Sequence, residues 1–194
     1  IAPSDRLSEL DFEMTLANLS KGVLASDIGK LLKGSLETDD LLYAYADSLS
    51  DSSFDIPLAG LLNGSIDAVI RVHAEDGSPR LFITDYKTNR LDGDEDVSLI
   101  EAYAPERLVA AMEHHHYPLQ ALLYGTAIYR MLRWRQPTMN ADEVIAGIAY
   151  FFVRGMVGVE SPKDAHDMPY GVFQWRAPEG LWEKMSNLFA GDRP

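Results

Sequence analysis

The 194-residue chain contains no cysteine. That excludes a disulfide framework, a thiolate zinc site and a cysteine-ligated iron–sulfur cluster within it. It accords with a reducing cytoplasm, where the chain is expected to work. Positive charge is scarce. The 17 Lys and Arg stand against 30 Asp and Glu, a formal net charge of −13. Such a balance argues against a domain that grips nucleic acid unaided, because that task needs a basic footprint. No apolar run approaches the ~18 residues that cross a bilayer. The start, "IAPSDRLSELDFEM", lacks the basic and apolar regions of a signal peptide. No repeat or low-complexity tract is present. The first residue is Ile1, not Met, so residues 1–194 are expected to be a single domain of a longer protein whose upstream part is missing.

With 46% hydrophobic residues, the chain can bury a substantial core. "SELDFEMTLAN" alternates as a strand, with Leu10, Phe12 and Met14 on one face. "VLASDIGKLLKG" reads as a short helix ending at Gly34, and "DDLLYAYADSLS" as another with Asp39 or Asp40 as N-cap. Strands over about 60–74 and 80–87 flank an Asp76-Gly77 turn, a strong hairpin signal. A long helical region runs from Pro105 to Arg135. Pro118 divides it, since an internal proline removes a helix hydrogen bond. "VIAGIAYFFVRGM" and "YGVFQWR" read as strands, and "PEGLWEKMSNLFAG" as a closing helix. The order predicts an α/β fold, a mixed central sheet flanked by helices.

One pattern breaks the expected alternation. The apolar strand Leu81-Phe82-Ile83-Thr84 ends in Asp85-Tyr86-Lys87. Residues two apart in a strand share a face, so Asp85 and Lys87 project together. The hairpin partner brings Asp67 beside them. An isolated D-x-K is ordinarily a salt bridge at a solvent edge. Here Asp67 follows Gly64-Ser65-Ile66 with apolar residues on both sides, and a carboxylate so placed costs free energy unless paired or ligated. Two carboxylates near a lysine are parts suited to metal-assisted phosphodiester hydrolysis.

The ordered set Gly64-x-Ile66-Asp67, then Asp85-Tyr86-Lys87, then Gln120-x-x-x-Tyr124 resembles the RecB-like branch of the PD-(D/E)xK nuclease superfamily. Gln120 and Tyr124, four apart on a helix, share a face. The segments "HHHYPLQALLYGTAIYRMLRWR" and "IAGIAYFFVRGM" look like those of that branch too. The resemblance runs from about Ser8 to Met156, and more weakly to residues 171–173. It implies a restriction-endonuclease-like core and a Mg²⁺-dependent deoxyribonuclease of the exodeoxyribonuclease V type, with Mn²⁺ able to substitute. Asp67, Asp85 and the Tyr86 backbone carbonyl would be metal ligands. Lys87 would be the catalytic lysine, and Gln120 and Tyr124 would support the site or touch DNA. Glu9 matches an acidic position on the first strand, although period two gives Asp11 the same orientation. The implied partners are single DNA strands delivered by a helicase, RecC- and RecD-like subunits, and RecA. ATP would act only in absent helicase parts, in double-strand-break repair and recombination.

Two features depart from the branch. Its upstream histidine ligand has no counterpart before the first strand, and Thr88 stands where Ser is frequent. The missing histidine keeps a non-catalytic module that docks RecA as an alternative reading, and a stand-alone exonuclease is a third. The run His114-His115-His116 fans out by about 100° per residue on a helix and so cannot face one ion. Arg130, Arg133, Arg135 and Trp134 suit DNA contact and helix-end packing about equally. Asp92 to Asp96 is a solvated loop or a second cation site.

Overall fold

The computed structural model describes residues 1–16, 22–55, 57–91 and 98–190. The acidic stretch from Asp92 to Asp96 lies outside the described residues. The elements run β1 (Arg6–Leu16), β2 (Val23–Leu24), α1 (Ala25–Lys33), α2 (Tyr43–Leu49), β3 (Pro57–Leu58), β4 (Gly60–His73), β5 (Pro79–Lys87), α3 (Pro105–His114), α4 (Tyr117–Arg135), α5 (Ala141–Val144), β6 (Ile145–Phe152), β7 (Val172–Trp175) and α6 (Leu181–Ala190). The central sheet has five strands in the order β1-β4-β5-β6-β7, and β2 and β3 form a separate pair. Among the described residues only β5 and β6 pair in parallel; the other neighbours in this sheet are antiparallel. The architecture is the mixed, helix-flanked sheet that the sequence predicts, consistent with a PD-(D/E)xK-like core.

The β4–β5 hairpin turns at Gly77, whose φ of 79° falls where glycine alone is unstrained. The parallel step from β5 to β6 needs a crossover, which α3, α4 and α5 supply. Along α4, Pro118, Ala121, Leu122, Gly125, Ile128, Tyr129 and Leu132 are buried, the three-to-four spacing of a helix packed on a core. A Cβ on Gly125 would lie 2.2 Å from the Trp182 ring, so the missing side chain is what lets α6 approach. Leu10, Phe12 and Met14 of β1 pack inward as the alternation requires.

Two local expectations change. Helix α2 starts at Tyr43, with Leu42 in the cap position. Asp40 instead accepts the Leu42 N–H at 2.8 Å and the Trp175 indole N–H at 3.0 Å, tying the turn to β7. The long helix also breaks earlier than proline alone dictates. His116 takes a left-handed φ of 53°, and Pro118 lies in the first turn of α4, where its missing N–H costs nothing.

Candidate active site

The carboxylates converge where the β-ladder fails. The β4–β5 pairing ends at Ala68 and Thr84. One step on, the Asp67 Oδ2 accepts the Tyr86 backbone N–H at 2.8 Å, replacing the lost ladder bond. On the other side of β4, pairing with β1 holds at Ser8↔Ala68 and resumes at Leu10↔Ile66. Between them Glu9 adopts a φ of 50°, a strained value for a residue with a side chain. Glu9 is exposed, opposite Asp67, whereas Asp11 pairs with Ser65. Structure therefore separates the two acids that sequence left equivalent, although no three His, Asp or Glu side chains gather among the described residues.

Asp85 is 4% exposed. The Lys87 Nζ lies 2.6 Å from its Oδ2, so carboxylate and ammonium form a largely buried ion pair. Burial pushes the Asp85 carboxyl above its ordinary range; Lys87 pulls it down, and the charge of Asp67 adds to the rise. Tyr86, between them, turns to the opposite sheet face. There it is 38% exposed and stacks on Phe151 at 5.5 Å.

Helix α4 supplies the other wall. Lys87 Nζ donates to Gln120 Oε1 at 2.9 Å. Gln120 Nε2 donates to the Tyr124 hydroxyl at 2.8 Å, and that hydroxyl donates to the Ser65 carbonyl at 2.9 Å. The fully buried Tyr150 places its hydroxyl 3.1 Å from Gln120 Oε1 and 3.2 Å from the Tyr117 carbonyl, so its one proton is shared between that oxygen and the start of α4. Two donors at one end and an acceptor at the other fix the orientation of the amide. Burial raises the Tyr150 and Tyr124 hydroxyls, and the charge of Asp85 adds to both. Both stay protonated donors at neutral pH.

The donor set suits a hard divalent cation. Two carboxylates on adjacent strands offer oxygen ligands, and Asp85 is buried with the Lys87 ammonium against its Oδ2. Magnesium is ordinarily held by one or two carboxylates, with water and substrate phosphate completing its shell.

The other candidates disperse. His114 ends α3. The His115 Nε2 lies 3.3 Å from Asn89 Nδ2, and the His116 Nδ1 lies 3.2 Å from the Tyr45 hydroxyl. The helix break turns His116 toward Tyr45, whereas the His114 and His115 rings stay edge-on to one another with centroids 4.9 Å apart. Arg130 binds the Ser186 hydroxyl and carbonyl and the Thr15 carbonyl, which is packing between α4, α6 and β1. Trp134 is 79% exposed. Sequence reasoning missed Tyr150: one aromatic in an apolar strand gives no sign of its polar partner.

No family model matches the chain. It is 44% identical, over 97% of its length, to RecBCD enzyme subunit RecB of Mycobacterium tuberculosis. It is 42% identical over 98% to the RecB subunit of Mycolicibacterium smegmatis, and 36% identical over 68% to that of Escherichia coli. The chain spans 17% of the length of the M. tuberculosis protein and 18% of the M. smegmatis one.

Proposed function

The chain belongs with the RecB subunits of RecBCD enzymes, as a homologue of one segment of them, and from that premise we propose that it is a Mg²⁺-dependent DNA nuclease domain. The observation that carries this reading is Lys87 held between Asp85 and Gln120 on the strand whose ladder partner gives way to Asp67.

Asp67 and Asp85 would hold Mg²⁺ or Mn²⁺, with the Tyr86 carbonyl as a further ligand and Glu9 as an outer candidate. The bound ion supplies Lewis acidity at a phosphodiester. The protein's own groups do the rest. An ammonium carries three N–H bonds. Gln120 accepts one, and Asp85 draws a second by charge. A third remains for the attacking water or a phosphate oxygen. Gln120 and Tyr124 keep the amine from swinging away, since Tyr124 is itself tied to the β4 backbone. Burial of Asp85 and Tyr150 keeps bulk water from competing for these bonds.

The net charge of −13 fits a strand delivered by other parts of an assembly better than one captured from solution. Local concentration then replaces intrinsic affinity. The assembly proposed is a RecBCD-type helicase–nuclease with RecC- and RecD-like partners, acting on unwound strands during double-strand-break repair and recombination.

The test is cleavage of labelled single-stranded DNA with Mg²⁺, Mn²⁺ or EDTA, by the full-length protein in its complex. Cleavage should need the divalent ion and vanish in Asp85→Ala and Lys87→Ala. Undiminished cleavage in either variant overturns the assignment.

A further inference from the structure

Lys87 ends in an aromatic seat as well as a polar one. Its Nζ lies 3.9 Å from the centroid of the Tyr117 ring and 5.2 Å from that of Tyr150. An ammonium over an aromatic face is attracted by the ring quadrupole, more strongly where water is excluded. The two rings are stacked on one another, 5.7 Å between centroids and 23° between planes. They form one continuous surface beside the amine.

Each ring is itself fixed. The Tyr117 hydroxyl donates to Asn89 Oδ1 at 2.9 Å. The Asn89 carbonyl accepts from the Tyr103 hydroxyl at 3.0 Å. His115 stacks on Tyr117 with centroids 5.2 Å apart. The strand exit is held too, because Arg154 Nε donates to the Thr88 carbonyl at 2.8 Å. Tyr117 thus touches both the Lys87 ammonium and, two residues on, the Asn89 side chain. Tyr150 pairs with Asp85 in the β5–β6 register and reaches Gln120 Oε1 with its hydroxyl.

A lysine carries a long flexible stem with high rotamer entropy. Gln120 fixes one direction and the Asp85 carboxylate draws a second. The Tyr117 face limits the amine on a further side, and the Tyr150 hydroxyl helps restrain the carbonyl that defines the first direction. We propose that Tyr117 and Tyr150 are positioning residues for the Lys87 amine, Tyr117 through its ring face and Tyr150 through its hydroxyl. This rests on the reading of Lys87 as the catalytic amine.

The variants separate ring from hydroxyl. Tyr117→Phe keeps the face and loses the Asn89 bond. Tyr117→Leu removes the face, with Tyr117→Met as a second choice should Leu not fold. Tyr150→Phe keeps the ring and removes the hydroxyl, with its bonds to Gln120 Oε1 and the Tyr117 carbonyl. The first readout is NMR of the lysine ε-methylenes in the metal-free protein, with Lys87 assigned by Lys87→Arg. The ring current should displace the Lys87 signal upfield from the other lysines. Tyr117→Phe should keep that displacement, and Tyr117→Leu or Met should abolish it. The second readout is single-strand cleavage by the intact complex. Here kcat should fall roughly tenfold in Tyr117→Leu and Tyr150→Phe with KM unchanged, and Tyr117→Phe should stay near wild type. An undisplaced Lys87 signal in the wild type, or equal losses of kcat in Tyr117→Phe and Tyr117→Leu, overturns the role of the ring. Unchanged kcat in Tyr150→Phe overturns that of the hydroxyl. A wild-type complex without metal-dependent cleavage overturns the proposed function instead, and the lysine signal then decides the seat by itself.

Discussion

Asp67 accepts the Tyr86 backbone N–H at 2.8 Å, one residue past the last β4–β5 pair. A side chain here does the work of the ladder, and it comes from a residue proposed to hold a metal. The two roles can be separated. Asp67→Asn keeps an amide oxygen for Tyr86 and should leave stability within about 0.5 kcal/mol, whereas Asp67→Ala should cost about 0.5–1.5 kcal/mol, because the exposed Tyr86 N–H exchanges this acceptor for water. Divalent binding, followed by calorimetry, should be lost in both. Tight binding in Asp67→Asn would remove Asp67 from the ligand set.

Gln120 is the joint between strand and helix. Its oxygen takes both Lys87 and Tyr150, and its nitrogen reaches Tyr124. Gln120→Glu puts an acceptor where Tyr124 receives a hydrogen bond and adds charge near a buried carboxylate. Cleavage should fall roughly tenfold or more, by about 1.4 kcal/mol in the barrier. Tyr124→Phe should fall less, because Lys87 keeps its acceptor. Steady-state kinetics of the two variants side by side checks the order.

Asp85 sets a pH dependence with a definite sign. Burial raises its carboxyl, Asp67 adds to the rise, and Lys87 only partly opposes it. The folded state therefore holds this proton to higher pH than the unfolded chain. Between the ordinary carboxylate value and the raised one, the folded state binds more protons, so stability falls as pH rises. Asp85→Asn should flatten that slope in the metal-free protein, and denaturant melts from acid to neutral pH measure it. An unchanged slope would mean that Asp85 is not the group responsible.

Two glycines divide packing from chemistry. A Cβ at Gly64 would lie 2.9 Å from the Phe12 ring, and Phe12 packs edge-on against Tyr124 at 5.8 Å. Gly64→Ala should destabilise by about 1–3 kcal/mol. It should also reduce cleavage below what the folded fraction explains, since Phe12 is pressed toward Tyr124. Gly125→Ala meets the Trp182 ring of α6 instead, and should lower the melting temperature with activity per folded molecule preserved. Equal specific activities in the two variants would contradict this division.

The acidic balance predicts weak intrinsic DNA affinity. The isolated chain should bind single-stranded DNA no tighter than about 1 µM at physiological salt. Fluorescence anisotropy over a salt series checks it, and nanomolar binding would show that the strand needs no delivery.

The hairpin was legible in the chain because a Gly77 turn and two apolar runs admit few alternatives. So was the proposed catalytic strand, since Asp85 and Lys87 break an apolar pattern at a spacing of two. Glu9 and Asp11 were not separable, because the deciding fact is the backbone flip at Glu9, which alternation assumes away. The three histidines were read as helical, but the chain turns at His116, a conformation no propensity announces. Asp40 offered itself as a helix cap and was drawn instead to an indole more than a hundred residues away.

Local pattern by itself indicated the five strands of the main sheet and most of the helices, and set Asp85 two residues from Lys87 on one strand face, because side-chain period and residue chemistry act over a few residues. Tertiary structure decided what surrounds that lysine. Gln120, Tyr117 and Tyr150 reach it from α4 and β6, and only the packing of a helix and a parallel strand against β5 brings them there. Contacts between distant segments depend on that packing, which no single segment encodes.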